Sequence, residues 1–251
     1  MSYPPVVSRP DWLAARKKLL VQEKQLTRAR DKVNSDRRRL PMVKVDKEYV
    51  FDGPNGKATL LELFEQRRQL IVYHMMLTHC PGCSLLIDNI GHLAHLHARD
   101  TTLVVVSRSP FAELDDFRRR MGWTMPFYSS HGSDFNYDFH TTVDSSVAPV
   151  EINFADEEEL RAAGIDYEGE VAGASVFLRD GEDIFHTYST YERGTDLLNG
   201  TLVYLDLTPL GRQEDWEEPA GRSNASASGW WQLHDEYAPG DSAWGMPKPA
   251  S

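Results

Sequence analysis

A chain of 251 residues that is 41% hydrophobic and 26% charged can build one sizeable core, and its composition is that of a globular protein. The formal net charge of −11 argues against a general nucleic-acid surface, because phosphate repels an acidic protein. No apolar run approaches the ~18 residues of a membrane helix, and MSYPPVVSRPDW lacks a basic patch leading into an apolar run, so a cytoplasmic protein is expected.

Residues 1–8 read as a loose arm. Ser8 to Asp11 is a helix start, with a serine N-cap and an acid three residues on. Trp12, Leu19, Leu26, Val33 and Leu40 recur every seven residues, one apolar stripe along a helix that stops before Pro41. The companion positions Ala15, Gln22, Ala29 and Asp36 fade in apolarity, which weakens a coiled-coil reading. Packing on the protein's own body or on a twin subunit, as a homodimer, is the expectation. The basic residues here, ending in Arg37, Arg38 and Arg39, read as a solvated helix face.

MVKVDKEYVF alternates as a strand, and Asp52 to Gly56 is a turn. TLLELFEQR reads as a short helix and QLIVYHMML as a buried strand. CPGCSLLIDNIGHLAHLHARD reads as one helix, TLVVVSR as a second buried strand, SPFAELDDFRRRMG as a helix and MPFYSS as a short strand. This alternation predicts an α/β layer with a largely parallel centre. GSDFNYDF reads as a loop, ASVFLRDGEDIFHTYS as a hairpin across Asp180 and Gly181, and RGTDLLNGTLVYLDL as a final helix. The remainder is rich in Gly, Ser, Pro and Trp and reads as irregular. Three parts follow: 1–42, an arm and amphipathic helix; 43–208, the α/β domain; 209–251, an irregular extension.

The only two cysteines lie in THCPGCS, where a buried strand hands over to a helix. Cys80 sits near the helix N-terminus and Cys83 about one turn in. Orphan N–H groups and the positive dipole end stabilise an anion there, so the Cys80 thiol is expected to be unusually acidic. That makes it the better nucleophile and leaving group in exchange, with Cys83 behind it as resolving thiol. Pro81 suits a first helical turn, and Gly82 removes bulk, as though for a partner's backbone. His79 would stabilise the thiolate when protonated or relay a proton when neutral.

Strand, C-P-G-C and helix within a β-α-β run resemble the thioredoxin-like superfamily. The blocks HCPGCSLLIDNI, HARDTTLVVVSRSP, MGWTMPFYSSHGSDFNYDF, GASVFLRDGEDIFHTYSTYERGTDLLNG and YLDLTPLGR are similar to one bacterial family. That family carries the label of a domain of unknown function and is described as predicted dithiol–disulfide oxidoreductases; the resemblance runs from about residue 8 to 237. It implies a thioredoxin-like central sheet flanked by helices, with Cys80 attacking and Cys83 resolving. One departure stands out. Thioredoxins place a cis-proline beside the cysteines, yet no proline lies between Pro149 and Pro209. Ala174 or Ser175 is expected in its place.

The rival for the cysteines is metal. Cys80, Cys83 and His79 are three zinc or copper donors within five residues, although a closed zinc site wants a fourth. His74, His92, His95 and His97 are the nearest others. Cleft candidates are Arg108, at the C-terminal end of a strand where open α/β sheets bind ligands, Asn136 and Tyr137 of the aromatic block, Ser175, Tyr188 and Arg193. The function expected is thiol–disulfide oxidoreduction, with no cofactor beyond a Cys80–Cys83 disulfide. Its partners would be a thiol or disulfide substrate and an external thiol reductant, since no nucleotide or flavin motif is present; no nucleic acid or membrane partner is expected. A thiol peroxidase, a zinc- or copper-binding protein and a non-catalytic interaction protein are the alternatives.

Overall fold

The structure, a computed structural model, describes residues 3–221 and 226–238. The chain divides into two units, residues 1–42 and 43–251. The first is the helix α1 (Arg9–Arg37), started as its sequence requires: Ser8 Oγ accepts the N–H of Asp11 at 3.3 Å and Pro10 occupies the first turn. The apolar stripe from Trp12 to Leu40 is exposed along its whole length.

The second unit contains strands β1 (Val43–Lys44), β2 (Val50–Gly53), β3 (Gly56–Thr59) and β4 (Gln69–His74), then helices α2 (Pro81–Asp88) and α3 (Ala94–His97). Strand β5 (Thr101–Ser107), helix α4 (Phe111–Arg120), strand β6 (Phe127–Ser129) and the single turn α5 (Phe135–Asp138) follow. Short strands β7 (Thr142–Val143), β8 (Glu151–Ile152) and β9 (Ala155–Asp156), helix α6 (Glu157–Ala162) and strand β10 (Gly169–Glu170) lead to the long hairpin β11 (Gly173–Asp180) and β12 (Asp183–Tyr191). Helix α7 (Gly200–Leu205) comes last.

The main sheet runs β1-β12-β11-β4-β5-β6-β2-β3, with β4, β5 and β6 parallel and β11 antiparallel to β4. This is the thioredoxin-like α/β arrangement. The parallel strands are continuous apolar runs because both of their faces are covered. Alternation along β4 and β5 sends Leu70, Val72, Val104 and Val106 into one core, with Phe64, Phe135 and Phe177. It sends Tyr73 and Val105 into the other, with Cys83, Ile87, Phe117 and Phe127.

Four expectations need correction. MVKVDKEYVF forms two short strands rather than one. The helix from Cys80 ends at Asp88, because the Asn89 side chain turns back to the Leu85 carbonyl at 2.7 Å and binds Asn199 and Thr201. The final helix is a 3₁₀ stretch (Glu192–Leu198) followed by α7, which Asn199 caps. The aromatic loop contains the turn α5, held by burial of Phe135 and Asn136. The described residues after 208 are irregular, yet they are anchored: Leu233 is 2% exposed inside the cysteine-side core. Asp88 accepts from Trp123 Nε1 at 2.7 Å and pairs with His234 at 2.9 Å, while Arg120 holds Asp235 through two contacts at 2.8 and 2.9 Å.

Candidate active site

Strand β4 ends at the centre of the sheet, and the six residues after it bend the chain into α2. His79 takes a left-handed conformation (φ 67°) and Cys80 an extended one that makes it the N-cap residue of α2. Its sulfur does what a serine oxygen does at an ordinary cap, accepting the Cys83 N–H at 3.4 Å. Its carbonyl receives both the N–H and the hydroxyl of Ser84, at 3.0 and 2.8 Å. Cys83 lies behind it, 1% exposed, where its sulfur accepts the Met76 N–H at 3.4 Å and a hydrogen bond from Tyr73.

The two thiols are therefore unequal. A hydrogen bond from the Cys83 thiol lowers the Cys80 pKa to about 7; the N–H groups of Cys83 and Gly82 add to this, and partial burial opposes it. Cys83 moves the other way, held well up by its hydrogen bond to Cys80 and by full burial. One thiol is poised to ionise near neutrality beside one that keeps its proton.

Cys80, Pro81 and Gly82 form one wall of a cavity of about 790 Å³. Tyr73, Met76, Leu86, Leu202, Trp216 and Trp231 supply much of the rest, with Ala172 at the start of the hairpin. Gly82 is required by this packing: a Cβ there would fall 2.6 and 2.8 Å from the Trp231 ring. The room expected for a partner's backbone is filled by the chain's own tryptophan.

Of the sequence-derived cleft candidates, Arg193 lines the cavity. Ser175 does not, nor does it stand beside the cysteines. It pairs with Val72 on the opposite face of the sheet, fully buried, bonded to His74 Nε2 and Ser189 Oγ, each at 2.8 Å. Ala172 is the residue found at the cavity instead. The loops after β4 and β5 do meet, through Thr78 N–H to Ser109 Oγ at 3.0 Å. Arg108, however, pairs with Glu170 at 3.0 Å and covers the Tyr137 ring at 4.8 Å. Asn136 reaches Glu170 at 3.5 Å and accepts from Ser130 at 2.7 Å. Arg108 and Asn136 thus meet at the half-buried Glu170 carboxylate, with Tyr137 under the Arg108 guanidinium, rather than at the sulfurs. Tyr188 pairs with Val176, on the sheet face of Tyr73 but outside the cavity lining.

His79 packs its ring on Phe117 at 4.6 Å and makes no hydrogen bond to Cys80 among the described residues. Nor, among those residues, do three His, Cys, Asp or Glu side chains converge as metal ligands would. Tyr73, Met76, Trp216 and Trp231 went unrecognised in the sequence. For Tyr73 and Met76 a signal existed, the period of the strand leading to the cysteines. For the tryptophans there was none, because nothing local ties the tail to α2.

Residues 1–237 match a family model described as "Bacterial protein of unknown function (DUF899)". The chain belongs to this family. Solved structures similar to this DUF899 chain include a bacterioferritin comigratory protein of Xanthomonas campestris, described for alkyl peroxide reduction. It has 13% identity, a TM-score of 0.41, and coverage of 62% of this chain and 90% of that one. A cysteine-to-serine mutant of PrxQ from Xylella fastidiosa has 14% identity and a TM-score of 0.43, over 62% and 89% of the two chains. The peroxidoxin BcpB of Mycobacterium tuberculosis has 15% identity and a TM-score of 0.39, over 66% and 97%. No curated protein matches the chain. No helix among the described residues is long and apolar enough to cross a membrane.

Proposed function

We propose that this protein is a thiol–disulfide oxidoreductase in which Cys80 attacks and Cys83 resolves. The observation that carries the reading is the inequality of the two thiols: Cys80, lowered to about 7, opens on a cavity, and Cys83 is sealed behind it as its hydrogen-bond donor. The Cys80 thiolate attacks one sulfur of a disulfide, the substrate S–S bond breaks, and one thiolate leaves and takes up a proton. Cys83 then gives up its proton and attacks the Cys80 sulfur. The second substrate thiol departs, and the protein retains a Cys80–Cys83 disulfide. Two electrons have passed to the substrate, and an external dithiol returns them.

A redox titration of the purified protein against glutathione tests this, with free thiols counted by mass after alkylation and metal content read from the same sample. A reversible two-electron transition that disappears in Cys83→Ser is expected. No transition, with about one metal per chain, would overturn the reading in favour of a ligand set. Faster turnover of hydrogen peroxide than of any disulfide would make the same two cysteines a peroxidase pair.

A further inference from the structure

The cavity beside Cys80 has a chemical character of its own. Its volume, about 790 Å³, suits a small molecule, since such sites span ~300–1,000 Å³. Its walls are thioether, aliphatic and indole: Met76, Leu86, Leu202, Trp216 and Trp231. Charged groups do line it: Asp196, Arg212 and Glu214 are engaged inside the protein, while Glu192 and Arg193 are exposed. Arg212, whose side chain is 8% exposed, holds Asp196 at 2.9 Å and Asp206 at 2.8 and 2.9 Å. Glu214, 4% exposed, accepts from Trp216 at 2.6 Å, Trp230 at 2.9 Å and the Ser228 N–H at 3.2 Å. Arg193 lies over the Trp216 ring at 4.3 Å and contacts Asp196 at 3.4 Å, and Glu192 accepts from Asn153 at 3.1 Å.

Among the described lining residues the buried ionic groups are therefore already paired, and the one cation that stays largely exposed, Arg193, has Asp196 beside it. The balance of the lining is also unfavourable to anions, with Glu192, Asp196 and Glu214 against Arg193 and Arg212. A Cys80 thiolate adds another negative charge. The tryptophan packed on Gly82 closes the approach that an extended polypeptide would take along the start of α2. Leu233 in the core and the Arg120 and Asp88 contacts hold that part of the chain in place.

We infer that the oxidant taken by Cys80 is a small, uncharged disulfide with apolar substituents, selected by a wall that the C-terminal segment supplies through Trp216 and Trp231. This rests on the dithiol reading above. The exchange is the one already written: Cys80 and Cys83 lose two electrons, and R–S–S–R with two protons becomes two R–SH. The apolar R group adjoining the attacked sulfur is covered by the indoles during attack, while glutathione disulfide brings carboxylates into a lining with more acidic than basic side chains.

The test is stopped-flow oxidation of the reduced protein by dimethyl, diethyl and dipropyl disulfide, glutathione disulfide and insulin. Each rate constant is divided by that of the same compound with free 2-mercaptoethanol. The dialkyl series is expected to climb about fourfold for each methylene covered, with glutathione disulfide and insulin about tenfold or more below dipropyl disulfide. Trp231→Ala and Trp216→Ala are expected to flatten the series and narrow that gap. A flat series in the wild-type protein, or glutathione disulfide and insulin reacting as fast as dipropyl disulfide, would overturn the inference while leaving dithiol exchange standing. Silence toward every disulfide would instead remove the dithiol reading itself.

Discussion

Replacing Cys83 separates its two contributions, as resolving thiol and as hydrogen-bond donor. The Cys80 pKa is lowered from 9.0 to about 7, and the largest cause is the Cys83 thiol. At pH 7 that leaves about half the sulfur as thiolate, against about one per cent for the unshifted group. A hydrogen bond to a charged group is worth about 1.5–3 kcal/mol, or about one to two pKa units at 1.36 kcal/mol each. Cys83→Ala should therefore raise the Cys80 pKa by about one unit or more, the N–H groups of Gly82 and Cys83 keeping the rest. Cys83→Ser retains an O–H donor and should hold the pKa close to wild type, although it cannot resolve a mixed disulfide. The sign follows from the lowered pKa: the thiolate is populated above about 7 and is lost as pH falls through that value. Iodoacetamide alkylation followed by mass, from pH 5 to 10, reads it directly. A wild-type midpoint above 8.5, or equal midpoints for the alanine and serine variants, would refute the donor assignment.

His74 is fully buried, and burial first, then the neighbouring His186, lowers its pKa to about 3 from 6.5. Its contribution is complete above pH 6.5 and is lost as pH falls toward 3, at most about 5 kcal/mol; urea midpoints should fall across that window less steeply in His74→Gln, and equal slopes would count against it. Gly82→Ala places a methyl group against Trp231, so it should destabilise the protein by about 1–3 kcal/mol and much less so in a Trp231→Ala background; thermal melts of the four proteins measure the coupling, and additive effects would mean the ring does not rest there. Leu233→Ala should cost about 2–5 kcal/mol and speed proteolytic cleavage after residue 208. A loss within ~0.5 kcal/mol, measured by urea titration, would show that the C-terminal segment is not part of the core.

The central sheet was legible because local chemistry decides it. QLIVYHMML and TLVVVSR are apolar on both sides, as strands covered on two faces must be, and they are the two central parallel strands. The start of α2 was legible for a similar reason, since a strand running into C-P-G-C leaves little choice about where the cap falls. Element ends were less so. Asn89 closes α2 by bonding Asn199 and Thr201, more than a hundred positions away, and no periodicity in IDNIGHL carries that information.

The same distinction explains the cavity. Arg108 and Asn136, expected in the cleft, instead meet Glu170, with Tyr137 under the Arg108 guanidinium, and Glu170 joins them only through a pair of two-residue strands. Of the pair Ala174 and Ser175, Ala174 pairs with Tyr73, whereas the register puts Ser175 opposite Val72, which turns its hydroxyl toward His74; Ala172 is the residue that lines the cavity. The largest omission is the tail. A Gly-, Ser-, Pro- and Trp-rich segment reads as irregular, and its described residues, 209–221 and 226–238, are so, while 222–225 and 239–251 lie outside the described residues; irregular backbone can nonetheless deliver aromatic surface. Gly82 was the one residue near the cysteines whose lack of a side chain asked for a neighbour. That neighbour is Trp231, so the glycine of C-P-G-C and a tryptophan of the tail are two halves of one contact: the acidity of Cys80 is set by groups within three residues of it, while part of the cavity wall beside it comes from a segment more than a hundred positions away.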